Sequence, residues 1–149
     1  MSARRTACLA ALAAAAIVAL AGCDPSFDSL CGNTVLKSLD SPDGKLKAVV
    51  FQRDCGATTG FSTQLSVLNA GDPLPNDGGN VFIADTDGGA ALAGQGGGPR
   101  VDILWEGPRK LLIEHNSGAR RFKTVTQLSV RTASTQSETV TVRYLLREQ

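Results

Sequence analysis

The sequence predicts an all-β domain of about eight antiparallel strands. Short runs alternate apolar and polar residues, as half-buried strands do. Gly, Pro, Asn and Asp clusters that favour turns separate these runs, and no convincing amphipathic helix follows the first 22 residues. The composition, 42% hydrophobic and 19% charged over 149 residues, is that of a single globular domain.

Each strand is delimited by its own turn signals. "SPDG" marks a tight hairpin turn, because proline presets φ and glycine accepts a positive φ. In "RVDILW", Val101, Ile103 and Trp105 share one face, so Trp105 is expected in the core. "RFKTVTQLSVR" is predicted to be one long strand. The predicted strands are 34–39, 45–53, 61–69, 80–85, 100–105, 110–115, 121–131 and 138–146.

The sequence "TQLSV" occurs twice, at Thr63–Val67 and at Thr126–Val130. Each copy follows a turn and an apolar strand. The chain is therefore predicted to form two meanders that pack face to face as a small sandwich or a partly open barrel.

The glycine-rich segment 86–99 is predicted to be a long flexible loop. Its "GQGGGP" lacks the helix that must follow a phosphate-binding loop. "DTDGG" resembles the start of a calcium loop through Asp85 and Asp87, but Gly96 stands where that loop needs a glutamate. We therefore expect no metal and no cofactor.

The N-terminus has the form of a secretory signal. Arg4 and Arg5 precede an apolar run from Ala7 to Leu20, and small residues follow it. The alternative, an uncleaved membrane helix, is disfavoured because the run is shorter than the ~20 residues that span a bilayer.

The sequence "LAGC" resembles the lipobox of bacterial lipoproteins. The resemblance implies cleavage between Gly22 and Cys23 and acylation of Cys23, for example by palmitate, and two or three acyl chains anchor stably. It predicts a signal peptide over 1–22, a lipidated cysteine and tether over 23–32, and one all-β domain over 33–149. The domain then lies on the periplasmic face of a membrane in the bacterial envelope. Asp24 resembles the signal that retains lipoproteins in the inner membrane of enteric bacteria.

Two cysteines remain for the folded domain. If Cys23 carries lipid and Cys8 is removed with the signal, Cys31 and Cys55 are left in an oxidising compartment, which predicts a disulfide. Closing this loop of about 25 residues stabilises the fold by about 3.5 kcal/mol in the chain-entropy estimate. The alternative is a nucleophilic Cys55 with His115, the sole histidine, as its base.

A disulfide at this position would pin a polar loop. Arg53, Asp54, Thr58 and Thr59 flank Cys55 and form a possible binding loop on a rigid scaffold. The alternative is that these side chains only satisfy backbone groups of a tight turn.

Three further features have a structural and a functional interpretation each. His115 is either a structural histidine at a strand end or a catalytic one. Glu106 and Glu114 could form an acid–base pair, although nothing in the sequence brings them together. The basic run 120–123 could contact anionic head groups or guard a strand edge against pairing.

Two wider resemblances concern the domain as a whole. Residues 31–146, with "RDCGATTGFSTQLSV" as the most specific part, resemble small exported bacterial proteins, many of them lipoproteins without an assigned function. "SPDGK" and the strands after it resemble blades of TolB-type β-propellers, and "EGPRKLLIEH" resembles a degenerate second copy. A propeller ring needs about four to eight blades, so two such units cannot close one.

These observations favour a non-enzymatic binding or assembly module in the cell envelope. Its expected partners are the membrane, through the lipid anchor, and an envelope protein. The net charge of +1 gives no field that would attract nucleic acid. The competing hypotheses are an envelope hydrolase that uses Asp54, Glu114 or His115, and an inhibitor or immunity-type lipoprotein that blocks a hydrolase.

Overall fold

A computed structural model describes residues 30–56, 59–131 and 136–148. In this part of the chain the predicted all-β fold is confirmed. The signal, Cys23 and Thr58 lie outside the described residues. The strands are β1 (Gly32–Asp40), β2 (Leu46–Asp54), β3 (Ser62–Asn69), β4 (Phe82–Asp85), β5 (Val101–Gly107), β6 (Lys110–Asn116), β7 (Arg120–Thr124), β8 (Gln127–Arg131) and β9 (Ser137–Arg147). A 3₁₀ turn covers Asp87–Gly89, and no helix among the described residues is long and apolar enough to cross a membrane.

The strands form two sheets that pack as a small sandwich. The first sheet has the order β1-β2-β3-β4-β7, and the second has the order β5-β6-β9-β8. All neighbouring pairs are antiparallel except β6 and β9, which are parallel. The hairpin of β1 and β2 lies where "SPDG" predicts it.

The predicted strand 121–131 is in fact two strands in different sheets. β7 pairs with β4 in the first sheet, and β8 pairs with β9 in the second. The chain crosses between them at Val125 and Thr126. The Val125 N–H donates to the Val81 carbonyl, and the Thr126 carbonyl accepts from the Val142 N–H. The alternating pattern continues across this point, so only the pairing partners reveal the break.

The two copies of "TQLSV" occupy different places in the fold. The first belongs to β3, in the interior of the first sheet, and the second belongs mostly to β8, at the edge of the second sheet. β9 lies between β6 and β8, so the second sheet is more than a simple meander. A parallel pair needs a crossover between its strands, and β7 with β8 supplies it.

The core lies between the sheets and is rich in β-branched and aromatic side chains. Trp105 is 8% exposed, and its indole N–H donates to the Leu39 carbonyl at 3.0 Å. The expected inward set of β5 is confirmed, because Val101 and Ile103 are buried while Leu104 is 56% exposed. Trp105 therefore joins β5 of the second sheet to β1 of the first.

The first sheet is buried on its outer face as well. Val49 and Phe51 are fully buried although their strand neighbours point into the core. Segment 72–80, named here the covering loop, lies over them. Its Gly79 N–H donates to Gln64 Oε1 at 2.7 Å, and its Asn80 N–H donates to Ser66 Oγ at 3.2 Å.

A cluster of charged residues joins the sheets at one end of the sandwich. Arg109, in the turn between β5 and β6, contacts Asp43 of the first hairpin turn, with Nη2 and Oδ2 3.0 Å apart. Arg109 also pairs with Glu138 at the start of β9, and Lys45 Nζ lies 3.8 Å from Glu138 Oε1. We call Asp43, Lys45, Arg109 and Glu138 the turn cluster. Hydrogen bonds from Arg109 and Ser41 lower the pKa of Asp43 to about 2.

We predict that Asp43→Asn reduces the acid sensitivity of the fold. The folded protein holds Asp43 ionised below the ordinary aspartate pKa of about 3.9. The unfolded chain therefore takes up this proton first, and the contribution of Asp43, complete above about pH 4, is lost as the pH falls toward 2. Urea unfolding between pH 5 and 2 measures this slope.

The matched control for Asp43→Asn is Asp40→Asn, at the exposed end of β1. This variant keeps Asp43 and its contact with Arg109, so the loss of stability that we assign to Asp43 between pH 4 and 2 should remain. Equal slopes for Asp43→Asn and the unmodified protein would contradict the role assigned to the Arg109 contact.

Candidate functional site

The predicted disulfide is present and closes one end of the first hairpin. Cys31 is bonded to Cys55, directly beyond Gly32 and Asp54, which are the last register partners of β1 and β2. A covalent bond at this point fixes the end of the hairpin and the loop that leaves it. With both sulfurs in a disulfide, Cys55 is not a free nucleophile.

Arg53 is buried and holds the covering loop. The residue is 6% exposed, and its Nη1 donates to Asn33 Oδ1 at 2.9 Å and to the Asn76 carbonyl at 3.3 Å. The Asn76 side chain in turn donates to the Cys31 carbonyl at 2.8 Å. The guanidinium of Arg53 therefore lies inside a structural network rather than on the loop surface.

Asp54 and Thr59 lie on the exposed side of the disulfide corner. Asp54 Oδ1 accepts a hydrogen bond from the Gly56 N–H at 2.9 Å, and Thr59 Oγ1 donates to the Gly56 carbonyl at 3.2 Å. Both contacts shape the local turn, which matches the structural alternative given by the sequence. Thr58 lies outside the described residues.

The glycine-rich segment forms no strand, as predicted, and it packs against the first sheet. The Pro99 carbonyl accepts a hydrogen bond from Thr63 Oγ1 at 2.7 Å. A Cβ on Gly98 would lie 2.5 Å from Thr63 Oγ1 and 2.6 Å from the Thr63 nitrogen. Gly96 and Gly97 have φ of +82° and +78°, which glycine adopts without strain. Close approach to a strand explains this run of glycines.

A cavity of about 250 Å³ lies where this segment meets the two sheets. Its apolar wall comes from both sheets, and its polar wall includes Arg100, whose Nε lies 2.9 Å from Asp102 Oδ2. The cavity is larger than the roughly 150 Å³ that hold a benzene molecule in an engineered core. The lining residues are Leu36, Lys37, Val50, Thr63, Gly94, Gln95, Pro99, Arg100, Val101 and Asp102.

His115 lies in the core rather than on the surface. It is 1% exposed, and its ring lies 5.1 Å from Phe82 and 6.3 Å from Tyr144, centroid to centroid. Nδ1 is 2.9 Å from the Asn116 carbonyl and acts as the donor, whereas Nε2 is buried with no hydrogen-bond partner among the described residues. Burial lowers the pKa of His115, and the nearby charge of Arg121 lowers it further.

Sequence alternation is the signal that places His115 inside. Leu111, Ile113 and His115 are spaced two apart on β6 and share its buried face. Glu114 therefore points to the opposite face and cannot act together with His115 on one substrate atom. The adjacent pair "EH" is not a catalytic dyad in this fold.

The two glutamates considered as an acid–base pair are apart, and each has an arginine partner. Glu106 contacts Arg143, with Oε1 and Nη1 3.1 Å apart, and Glu114 pairs with Arg147. Asp102 is the register partner of Glu114. Glu106 lies four residues beyond Asp102 on β5, which corresponds to about 13 Å along the strand at about 3.3 Å per residue. This separation between the positions of Glu106 and Glu114 exceeds the roughly 5–9.5 Å between the two carboxyl groups of a glycosidase.

The basic run on β7 is exposed but partly neutralised. Arg120 pairs with Asp85 and lies 3.4 Å from Asp87, so the two aspartates of "DTDGG" hold a guanidinium. Lys123 Nζ donates to the Gly79 carbonyl at 2.8 Å. Within residues 30–56, 59–131 and 136–148, no group of three or more His, Cys, Asp or Glu is placed to hold a metal ion.

We predict that His115→Phe removes a pH dependence of stability near neutrality. The unfolded chain protonates His115 near its ordinary pKa of about 6.5, but the buried ring resists protonation. The free energy of unfolding should therefore fall as the pH drops below about 6.5 in the unmodified protein, down to the lowered pKa, and not in His115→Phe.

The matched control for His115→Phe is Tyr144→Phe, which alters the same aromatic cluster and keeps the histidine. Burial raises the pKa of Tyr144 to about 12, so the tyrosine does not titrate in this range. Denaturant unfolding from pH 8 to 5 compares the three proteins. A flat profile for the unmodified protein would contradict the interior position of His115.

Comparisons with protein-family models, with curated proteins and with solved structures gave no match. A functional assignment therefore depends on the sequence and the contacts of the chain.

Proposed function

We propose that the protein is a lipid-anchored, non-enzymatic binding module of the bacterial cell envelope. Acylated Cys23 tethers it, and the β-sandwich lies on the periplasmic face of the membrane. The observation that carries the proposal is the Cys31–Cys55 disulfide. A disulfide fits an oxidising compartment. Because this bond uses both cysteines of the domain, Cys23, at the end of the signal, is left as the cysteine that carries the lipid.

The surroundings of the suspected catalytic side chains support binding over hydrolysis. His115 packs in the core against Phe82, Glu114 pairs with Arg147, and Asp54 accepts the Gly56 N–H. Each group already has a structural role, and Glu114 and His115 lie on opposite faces of β6. This arrangement supports a protein that presents a surface to a partner.

We place the binding surface at the disulfide corner and the adjoining cavity. Asp54 and Thr59 are exposed at the corner, and the disulfide and the Arg53 network hold the backbone beneath them. Polar loops on a rigid scaffold are where binding residues concentrate. The cavity adds an apolar wall beside Arg100 and Asp102, which suits an envelope protein partner that inserts an apolar side chain next to a polar one.

The anchor is tested by Cys23→Ser. We expect an uncut precursor, because the signal peptidase for lipoproteins cleaves only before an acylated cysteine. The unmodified protein should yield a mature N-terminal peptide that carries acyl chains on Cys23. Intact-mass and peptide mass spectrometry measure both outcomes, with Cys8→Ser as the matched control. Normal maturation of Cys23→Ser would end the lipoprotein proposal.

The binding surface is tested by photo-crosslinking in intact cells. A photoreactive residue replaces Thr59 at the disulfide corner or, as the matched control, exposed Asp72 in the loop after β3. We expect a discrete adduct for Thr59 and none, or a different one, for Asp72. The same adduct from both positions would contradict a site at the corner, and a captured hydrolase would favour the inhibitor hypothesis.

A further inference from the structure

We propose that the cavity beside the glycine-rich segment recognises a carboxylate that the partner presents next to an apolar side chain. The Lys37 ammonium binds the carboxylate, and the apolar wall of the cavity accommodates the side chain. This inference rests on the proposed function, because it names the chemistry by which the envelope protein partner is recognised. We name the site the edge cavity, after the two edge strands that contribute to its lining.

The edge cavity lies between two strands that have a sheet neighbour on one side only. β1 is at one edge of the first sheet and β5 is at one edge of the second, and each contributes two residues to the lining. Further along the strands, the Trp105 indole joins the two edges by its hydrogen bond to the Leu39 carbonyl. The cavity is therefore an opening between the edges of the two sheets.

A bulge in β1 turns two consecutive side chains toward this opening. The register of β1 and β2 shifts between Val35 and Lys37, and Lys37 pairs with Val50. Cross-strand partners share one face of a sheet, and Val50 belongs to the core, so Lys37 is on the core-facing side. Leu36 packs against the same core. Bulges re-aim side chains in this way beside functional sites.

The wall of the edge cavity is apolar inside and polar at its mouth. Val50 and Val101 are 2% and 8% exposed, and Pro99 is buried as well. Lys37 and Arg100 are exposed. Ligand pockets commonly combine an apolar wall with a few polar groups that fix orientation. An apolar side chain therefore fits between the valines, with a charged group beside it at the mouth.

The glycine-rich segment closes the cavity on a third side. The Gly94 N–H donates to the Gly98 carbonyl at 2.8 Å, which makes this part of the segment a tight turn. A Cβ on Gly96 would lie 2.8 Å from Gln52 Oε1 and 3.2 Å from Leu36 Cδ2. The segment is therefore in close contact with β1 and β2, and the chain forms the cavity by itself.

Lys37 has no acidic partner among the described residues. The neighbouring carboxylates are already engaged: Asp102 Oδ2 lies 2.9 Å from Arg100 Nε and 3.6 Å from Arg147 Nη1. Glu114 pairs with Arg147. Three cations thus stand beside two carboxylates, and the charge that is left over is that of Lys37. A carboxylate complements this wall, whereas an ammonium group is repelled by it.

Protection of the sheet edge is the alternative explanation for Lys37. Bulges and charged side chains that point inward both keep an edge strand from pairing with other chains. Such protection needs no open space beside the lysine. Lys37 instead lines a cavity that also contains buried Val50 and Val101. A cation without a partner beside open apolar volume favours recognition of an acidic group.

Binding of small probes to the protein as purified from cells, in detergent micelles, tests this chemistry. N-acetylleucinate carries a carboxylate beside an apolar side chain, and N-acetylleucinamide replaces the charge by a neutral amide. We expect the acid to shift the NMR methyl resonances of Val50 and Val101. It should bind about threefold to fivefold more tightly than the amide, as one partly exposed ion pair allows. Buried Val49, on the outer face of β2, should not shift.

Lys37→Met separates the charge from the apolar wall. Methionine keeps an unbranched stem at this exposed position, and an unchanged Val49 resonance shows that the fold is intact. The acid and the amide should then bind equally. The matched control is Lys110→Met, at the exposed start of β6, which should keep the preference for the acid. Equal binding of both probes to the unmodified protein, or a preference that persists in Lys37→Met, would overturn the inference.

A further probe distinguishes two sources of the carboxylate in a protein partner. A blocked leucyl-aspartyl dipeptide amide carries its carboxylate only on the aspartate side chain. Binding tighter than that of N-acetylleucinate supports an acidic side chain of the partner as the recognised group. Weaker binding supports the C-terminal carboxylate of the partner, on an apolar last residue. Both results require that the preference is lost in Lys37→Met.

The outcomes separate failure of this inference from failure of the proposed function. A crosslinked adduct at Thr59 in intact cells, together with equal binding of the acid and the amide, overturns only the role of Lys37. A preference for the acid without any adduct at Thr59 supports the carboxylate site and overturns the placement of the protein partner at the disulfide corner.

Discussion

Burial of the first sheet on both faces is the constraint on which the rest of this structure depends. Strand β2 sends apolar side chains in both directions, and the outer face of β3 buries the polar side chains of Gln64 and Ser66. The second sheet must therefore cover one face, and another part of the chain must cover the other. The covering loop covers the outer face, and it brings backbone N–H and carbonyl groups against the sheet. A buried peptide group without a partner costs free energy, and Gln64, Ser66 and Arg53 supply the partners.

This constraint explains which features the sequence could predict. The β1–β2 hairpin, the inward position of Trp105 and the Cys31–Cys55 bond follow from local turn chemistry, alternation and cysteine count, and all are confirmed. The buried position of Arg53 does not follow, because alternation predicts a solvent-facing side chain on the outer face of an antiparallel sheet. Only knowledge of the covering loop reverses that expectation.

The remaining differences arise where tertiary pairing overrides local pattern. The run 121–131 has continuous strand character, yet it divides at Val125 between two sheets. The glycines near Pro99 have the composition of a flexible linker, but they allow the backbone to approach β3 closely. His115 lies in the core because every second residue of β6, from Leu111 to His115, faces the interior of the sandwich. In each case the deciding contact joins residues far apart in the sequence.

The position of β9 between β6 and β8 has a consequence for the order in which the molecule assembles. A chain is synthesised from its N-terminus, so β1 to β4 can pair before the later strands are made. The second sheet cannot form in this order, because β9, one of its two interior strands, is made last. Until β9 is present, β8 lacks its neighbour in that sheet. Before β9 pairs, the core face of the first sheet is therefore not fully covered. Val140 and Val142 of β9 complete the core between the two sheets.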